Sequence, residues 1–244
     1  MQNSQGSQEW HEERSGKITA SNFHKLAGNI GLTEIQAAEY KKLTEKIKLT
    51  DNQVNKLKEL TDKKINPKIP DTFETYIFEL IANEMGAMND EIDAFALKYG
   101  KETEPIAREY FEKATGKEVE LVGFETASFD NQIGYSGDGY IRNEDSGAEI
   151  KCPLNIENHV KYMTIKKASD LKDIEPKYYW QIMFSLYCSG LKSWYFISFH
   201  PKFEGANRMH IINIKPDCEV FKFIAERIEL AKKLKEEIKN RIKL

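Results

Sequence analysis

The spacing of apolar residues changes along the chain, and this change restricts the fold more than any other feature of the sequence. Up to about residue 117, apolar residues recur at intervals typical of one face of an α-helix. Residues 118–152 instead contain short apolar runs separated by turn residues, which is typical of β-strands. Helical and extended segments then alternate to the end of the chain. The pattern predicts an α/β fold in which helices flank a central mixed sheet.

The same periodicity places the individual segments. Helices are expected at residues 101–114, 177–188 and 219–243, and strands at residues 118–124, 135–142, 148–152, 194–199 and 209–214. The apolar face of the first of these helices consists of Ile106, Ala107, Tyr110 and Phe111. Pro105 is tolerated only in the first turn of a helix, and Gly116 is placed to end this one.

Helix ends are also visible in the first third of the chain. Thr19 or Ser21 is suited to cap a helix that runs through residue 26, and Asp71 with Glu74 resembles a capping box. Residues 33–64 contain two amphipathic helical repeats that divide near Thr50, which predicts a helical-hairpin insertion. We expect this hairpin to pack or to act as a spacer, and a contact with DNA or with another subunit remains open. One domain is expected over residues 1–244, with a flexible tail at residues 1–8.

Composition limits the classes of function. Hydrophobic residues make up 40% of the 244, enough for a core, while the formal net charge of −3 gives no overall attraction to nucleic acid. Any contact with DNA must therefore come from local groups of Lys and Arg. The three cysteines are odd in number and far apart, which favours reduced thiols over disulfides or a zinc site. No signal peptide or membrane-spanning apolar run is seen, so we expect a soluble, cytoplasmic protein without a membrane partner.

A candidate site lies where two of the predicted strands form a hairpin. If the hairpin is centred between Asn143 and Glu144, Asp138 falls directly opposite Glu149. Side chains two residues apart share a face of a strand, so Lys151 lies on the same side as Glu149. A bulge at Gly147 would shift this register by one residue.

Two facing carboxylates repel each other unless one is protonated or a cation lies between them. Oxygen ligands of this kind favour Mg²⁺, which can polarise a phosphodiester and activate water. Lys151 would then orient the water or stabilise the developing charge. Taken alone, the spacing of these three residues is a weak pattern, because a solvated polar face of a sheet explains it equally well. The glycines that flank Asp138 add to it, since they permit close approach of the backbone.

Five elements in order along nearly the whole chain resemble the lambda-exonuclease-like viral recombinases (YqaJ type) of the PD-(D/E)XK nuclease superfamily. They are Arg14-Ser-Gly-Lys-Ile-Thr-Ala-Ser21, Tyr99-Gly-Lys-Glu-Thr-Glu104-Pro-Ile-Ala-Arg108, Ser136-Gly-Asp138-Gly, Glu149-Ile-Lys151-Cys-Pro and Tyr178-Tyr-Trp-Gln181. Two positions differ from the family pattern: Tyr99 replaces a tryptophan, and Gly137 replaces the proline common before the aspartate. Neither change removes a ligand.

The resemblance implies a PD-(D/E)XK core and a catalytic site. Asp138, Glu149, Glu104 and the Ile150 carbonyl would ligate Mg²⁺, for which Mn²⁺ would substitute; Lys151 would be the catalytic lysine and Gln181 would complete the site. Arg14, Ser21 and Ser136 would bind the 5′-phosphate of DNA, as an arginine fork and two hydroxyls suit a terminal phosphate. Each residue also has an ordinary explanation. Arg14 would be a surface ion-pair partner, Ser21 a helix cap, Glu104 a first-turn acid, and Gln181 a buried amide bonded to backbone.

The resemblance further implies a 5′-to-3′ exonuclease that acts on double-stranded DNA ends and leaves 3′ single strands for recombination. A ring-shaped homotrimer and a single-strand annealing protein would be its partners. Two alternatives stay open. A restriction-like or structure-specific endonuclease would use the same chemistry, and a catalytically silent DNA-binding scaffold would keep only the fold.

Overall fold

The computed structural model describes residues 8–87 and 95–242, and within these ranges the strands form two sheets. The first contains β1 (Ile18–Thr19), β2 (Glu125–Ala127) and β3 (Asp130–Tyr135), in the order β1-β3-β2. The second contains β4 (Gly139–Ile141), β5 (Ser146–Lys151), β6 (Ser193–Phe199) and β7 (Met209–Ile214), in that order. The pairs β1-β3 and β5-β6 are parallel and the others antiparallel, so both sheets are mixed.

Helices surround the sheets. They are α1 (Gln8–Arg14), α2 (Glu34–Thr44), α3 (Asp51–Ile65), α4 (Asp71–Glu84), α5 (Phe95–Thr115), α6 (Ile156–Met163), α7 (Ala168–Ile174), α8 (Pro176–Ser189) and α9 (Cys218–Arg241). A larger core cluster joins the sheets to α4, α8 and α9, and a smaller one joins α5 to the second sheet. The α/β architecture predicted from the sequence is therefore confirmed. None of the described helices is long and apolar enough to cross a membrane.

Several predicted segments are confirmed. Residues 33–64 form the expected helical hairpin, in which Thr33 and Thr50 each complete a capping box at the start of a helix. Helix α8, strands β6 and β7 and helix α9 lie within a residue or two of their expected positions. The predicted flexible tail, residues 1–8, lies outside the described residues except for Gln8, where α1 begins.

The prediction of strands at residues 118–124 and 135–142 is wrong. In the first segment Glu120 forms one isolated bridge with Tyr140, because its partner β4 is short and turns at once into a 3-10 helix, Arg142–Glu144. The second segment is split, because the chain leaves the first sheet after Tyr135 and enters the second at Gly139. The strands β2 and β3 and the helices α6 and α7 were not predicted.

Three helix predictions also need correction. The segment Ala20–Lys25 is a 3-10 helix that Thr19 does not cap with its side chain, because the Thr19 hydroxyl accepts from the Asn22 amide instead, at 3.3 Å. Pro70, not Asp71, is the cap of α4, and no side chain caps that helix.

Helix α5 begins at Phe95, so Pro105 lies in its middle and not in the first turn. Of the residues expected on its apolar face, Ala107 and Phe111 are fully buried, whereas Ile106 is 54% exposed. The position of the helix also excludes the ordinary explanation of Glu104. It cannot be a first-turn acid, because the helix starts nine residues before it.

Candidate active site

The aspartate of the site lies at the crossing between the two sheets. Gly139 pairs antiparallel with Ala148, which is the register expected from the sequence, and Asp138 lies one residue before this pair and Glu149 one residue after it. The Asp138 N–H donates to the Ala148 carbonyl at 2.9 Å, and the Ile150 N–H donates to Asp138 Oδ2 at 2.6 Å. Both backbone bonds fix the carboxylate beside the second strand of the hairpin.

Close packing behind this crossing depends on two glycines. A Cβ on Gly137 would lie 2.8 Å from Trp194 Cζ2, and one on Gly147 would lie 2.4 Å from Trp194 Cε3. Such distances exclude larger residues, because the Trp194 ring is itself fully buried. Gly147 is therefore required for packing and does not mark a bulge in the β4-β5 pairing.

Three carboxylates meet at this point. Asp138 and Glu149 are buried and Glu104, from α5, is half-buried. Burial and the charge of Asp138 raise the pKa of Glu149 to about 8 and the pKa of Glu104 to about 7. Burial also raises the pKa of Asp138, against the opposing charge of Lys151. Without a further cation, burial and the charge of Asp138 therefore favour protonation of Glu149 and Glu104.

Glu149 is oriented from two sides. The Gln181 amide of α8 donates to Glu149 Oε1 at 2.7 Å, and the Lys151 ammonium contacts the same oxygen. Burial lowers the pKa of Lys151, but the charges of Glu149 and Asp138 outweigh it and raise this pKa overall. The Lys151 ammonium also lies 4.8 Å from the centre of the Tyr178 ring. The Gln181 side chain therefore bonds to the carboxylate of the site and not to backbone.

Arg108 is also a member of the site, although the sequence motifs do not assign it a role. Its guanidinium donates to Glu104 Oε1 at 2.8 Å. Its positive charge opposes the rise in the pKa values of Glu104 and Asp138. The spacing of four residues on one helix is the signal that predicts such a pair. Tyr178, in contrast, gives no signal beyond its position in a family motif.

A cleft of about 640 Å³ opens onto these groups. Glu104, Asp138, Ile150 and Lys151 lie on its wall together with Tyr178. Trp10 and His11 of α1 line its opposite end, and His11 also lines a second, smaller cavity of about 230 Å³ that contains Arg14. The two cavities are thus neighbours joined at α1.

Of the three predicted phosphate-binding residues, Arg14 lines the smaller cavity, Ser21 contacts Arg14, and Ser136 lies in the segment between β3 and β4. Arg14 donates to Ser21 Oγ at 2.9 Å, and its guanidinium lies 3.9 Å from the centre of the Trp10 ring. Burial lowers the pKa of Arg14 to about 10, so the side chain remains protonated at neutral pH. Thr19 of β1 pairs with Gly134 of β3. Ser21 lies two residues after Thr19, and Ser136 lies two residues after Gly134. The Ser136 hydroxyl is buried and has no hydrogen-bond partner in the described part of the chain.

The donor set suits a hard divalent cation. Glu149 Oε2 is buried and has no hydrogen-bond partner among residues 8–87 and 95–242, so one oxygen of the central carboxylate is left to bind a ligand. Across the same ranges, no group of three or more His, Cys, Asp or Glu side chains is arranged so that it could hold a metal ion. Asp138, Glu149 and Glu104 nonetheless interact electrostatically, and Ile150 presents its backbone at the cleft. A cation between the carboxylates would relieve the repulsion that raises their pKa values.

Fold and site together define a class: an α/β fold in which an acidic pair and a lysine lie where two strands pair, the arrangement expected from the resemblance to PD-(D/E)XK nucleases. Residues 9–192 match the model of the YqaJ-like viral recombinase domain, and the chain belongs to this family. The family predicted from the sequence motifs is confirmed. A comparison with curated proteins gave no match.

Solved structures share the fold. An alkaline exonuclease from Laribacter hongkongensis superimposes with a TM-score of 0.71 at 20% identity, over 97% of this chain and 96% of the exonuclease. The same exonuclease in complex with dAMP gives a TM-score of 0.64 at 21% identity, over 97% of this chain and 98% of that one. A phage-related exonuclease from Haemophilus somnus gives 0.66 at 14% identity, over 93% and 96% of the two chains.

Proposed function

We propose that the chain is a Mg²⁺-dependent exonuclease that degrades double-stranded DNA from 5′ ends and leaves 3′ single strands. The central observation is the buried pair Asp138 and Glu149, with one unpartnered carboxylate oxygen and Lys151 beside it, on the wall of a cleft. Membership of a viral recombinase family supports action on DNA. The names of the two structural neighbours, both exonucleases, support action at ends.

The residues divide the chemical work. A bound divalent cation would polarise the phosphodiester and strengthen water as a nucleophile. Asp138, Glu149, Glu104 and the Ile150 carbonyl would hold it, and Mn²⁺ meets the same preference for oxygen ligands. Lys151 orients the attacking water and offsets the charge that develops on the phosphate. Gln181 keeps Glu149 in place by its 2.7 Å bond, so that the free oxygen faces its ligand.

The 5′-to-3′ direction of digestion depends on which end of the DNA strand the protein would hold. A terminal phosphate carries more negative charge than an internal diester, so a fixed guanidinium recognises it selectively. Arg14 with the Ser21 and Ser136 hydroxyls supplies these donors, and the Arg14 cavity adjoins the catalytic cleft at α1. An anchored 5′-phosphate would place the adjoining diester beside the carboxylates.

Further features of the proposal come from the family resemblance. The protein would act as a homotrimeric ring and deliver 3′ single strands to an annealing protein. Cys152, Cys188 and Cys218 are free thiols in the structure, which is consistent with work in the cytosol of a bacterium or an infected host cell.

The decisive assay uses a linear duplex labelled at one end, with or without a 5′-phosphate, in Mg²⁺, Mn²⁺ or EDTA. We expect shortening from the 5′-phosphorylated end only when a divalent cation is present. Closed circular DNA serves as the control, because an exonuclease leaves it intact. Cutting of the circle would support the endonuclease alternative, and no cutting of any substrate would support the silent scaffold.

Arg14→Ala tests the phosphate pocket. A charge-assisted contact contributes about 1.5 to 3 kcal/mol, so we expect a roughly ten- to hundredfold slower digestion of phosphorylated ends. Initial rates on paired substrates that differ only in the 5′-phosphate measure the effect. If both substrates slow equally, Arg14 is a general backbone contact and the phosphate binds elsewhere.

A further inference from the structure

A buried lysine of α9 lies beneath the turn that carries Arg14. Lys235 is 5% exposed, and its ammonium contacts Glu84 Oε1 at 2.5 Å and the Gly16 carbonyl oxygen at 3.3 Å. A buried ammonium is costly unless it is paired and hydrogen-bonded, and these two contacts meet that need. Lys235 therefore connects three separate parts of the chain: α9, the end of α4, and the turn between α1 and β1.

The turn itself is shaped to fit against Glu84. Gly16 has φ +68°, and a Cβ at this position would lie 2.3 Å from Glu84 Cγ. Next to it, Ser15 Oγ donates to the Asn83 carbonyl at 2.9 Å, so the end of α4 holds the turn at two adjacent residues. The turn is closed by the Lys17 N–H, which donates to the Arg14 carbonyl at 3.1 Å.

The position of Arg14 depends on this turn. Arg14 is the last residue of α1, a helix of 7 residues. On the other side of the turn, Ile18 enters β1, whose pairing with β3 leads toward Ser136 and Asp138. Lys235, Ile18 and Leu80 line one narrow crevice, so the lysine lies directly against the start of β1.

We infer that Lys235 is a positioning residue for the 5′-phosphate pocket: together with Glu84 it fixes the Gly16 turn, and through it the guanidinium of Arg14. This inference rests on the proposed function of Arg14. Lys235 lies beyond the part of the chain that matches the family model, which ends at residue 192. The pocket would thus be set from the C-terminal helix, far along the chain from the residues that touch DNA.

A purely stabilising role and a positioning role of Lys235 predict different effects of Lys235→Met on end selectivity. Lys235→Met removes one partner of the ion pair and so costs stability, but Glu84 keeps its second partner, Lys239, and the variant is expected to fold. If Lys235 only stabilises packing, Lys235→Met will leave end selectivity as it is. If Lys235 positions Arg14, Lys235→Met will lower the preference for phosphorylated ends in a protein that still folds.

The measurement is the ratio of initial rates on 5′-phosphorylated and unphosphorylated linear duplex, with Mg²⁺ and the full chain. A loss of folded protein cancels in this ratio, and thermal unfolding checks the fold independently. Lys239→Met is the matched control, since Lys239 contacts the other oxygen of Glu84 at 3.0 Å from a more exposed position. Gly16→Ala is a second, independent way to displace the turn without touching Lys235.

We expect Lys235→Met and Gly16→Ala to lower the ratio by at least about tenfold, because misplacement by about 1 Å is enough for losses of that size. Lys239→Met should keep the wild-type ratio. The double variant Arg14→Ala with Lys235→Met should lose no more than Arg14→Ala alone, because both act through one guanidinium.

If Arg14→Ala lowers the ratio and Lys235→Met does not, the inference is wrong although the pocket stands. If Arg14→Ala leaves the ratio unchanged, the pocket is wrong, and this inference fails with it.

Discussion

At the scale of single residues, the site is dominated by an imbalance of charge. Glu104, Asp138 and Glu149 face two cations, Lys151 and Arg108. Burial raises the pKa of all three carboxyls, and the charge of Asp138 adds to the rise at Glu149 and Glu104, since ionising one group makes ionising the next less favourable. A fold keeps such a group only where it serves chemistry, because an apolar replacement would be more stable.

Removal of any central group should abolish activity. Asp138→Ala, Glu149→Ala and Lys151→Ala are each expected to lower Mg²⁺-dependent digestion by orders of magnitude with the fold retained, because the ligand set or the catalytic cation is lost. Initial rates and circular dichroism measure the two effects. Arg142→Ala on the same hairpin is the control, because its pair with Glu120 is exposed and contributes little. Near-wild-type turnover in any of the three variants would mean that the site is assigned wrongly.

The raised pKa values also predict how pH acts. The pKa of Glu149 rises from 4.5 to about 8 on folding, so the folded chain binds more protons than the unfolded chain between these values. Stability therefore falls as pH increases from about 5 to about 8 in the metal-free protein. Mg²⁺ affinity should rise over the same interval, because the cation must displace the proton.

Thermal unfolding in EDTA and in Mg²⁺ across this pH range measures both effects. Glu149→Gln, which keeps the shape and loses the charge, should reduce the decline seen in EDTA, and the raised pKa values of Glu104 and Asp138 account for the part that remains. For a chain of this size, each 1 kcal/mol corresponds to about 2 to 4 °C in Tm. An unfolding temperature in EDTA that rises with pH in the wild type would contradict the prediction.

At the scale of elements, the sequence predicts best where an element is long and buries one face. Helix α9 has a clear helical period and strand β6 is a nearly continuous apolar run that is buried on both faces, and both are found where the sequence places them. Strand β1 has two residues and β2 has three, which is too short for any period to show. Their positions depend on tertiary pairing with β3, which no local pattern contains.

The residues of the candidate site are likewise predictable from local sequence only in part. Asp138 opposite Glu149 follows from strand alternation and one turn, so local reasoning suffices for the register. Glu104, Gln181 and Arg14 come from elements far away in the chain, and only the family motifs connect them to the hairpin. Pro105 was misleading, because a proline in the interior of α5 does not mark its start.

The hairpin of α2 and α3 should be dispensable for cleavage. Its buried residues Leu43 and Leu60 belong to neither core cluster, and its ends are close, since a Cβ on Gly31 would lie 3.4 Å from Pro67 Cβ. Replacing residues 33–65 by two glycines is expected to keep the fold and Mg²⁺-dependent digestion of a short linear duplex. Digestion rate and unfolding temperature test this. A folded variant that no longer digests the duplex would show that the hairpin contacts DNA or a second subunit.

At the scale of the whole molecule, charge poses a problem for binding DNA. The chain carries a formal net charge of −3, and its useful cations are local: Lys101 and Lys151 at the cleft, Arg14 and Lys17 at the smaller cavity. One copy offers few contacts to a polyanion. Several copies around one duplex would surround it with such patches and keep the negative surface outside.

The surface of the described residues is compatible with such an assembly. Apolar side chains are exposed on two helices that both line the cleft, among them Phe95 and Ile106 on α5 and Ile156 and Val160 on α6, each at least 49% exposed. Exposed apolar groups of this kind are typical of surfaces that bind another protein chain. They also explain why amphipathic periodicity placed Ile106 in the core, since an interface requires the same apolar residues as an interior.

The last prediction is the assembly state. We expect light scattering to give about three times the chain mass of 28.2 kDa, because a closed ring satisfies both the exposed apolar groups and the need for several basic patches. Ile106→Lys should shift the mass toward one chain if α5 lies in the interface, and DNA binding should become weaker and its dependence on salt shallower, because each complex then makes fewer phosphate contacts. Lys222→Ala on the exposed face of α9 is the control and should leave the mass unchanged, because its pair with Glu219 lies within one helix. A wild-type mass of one chain, both alone and with a linear duplex, would rule out the ring and leave the local cations of a single cleft to hold the DNA.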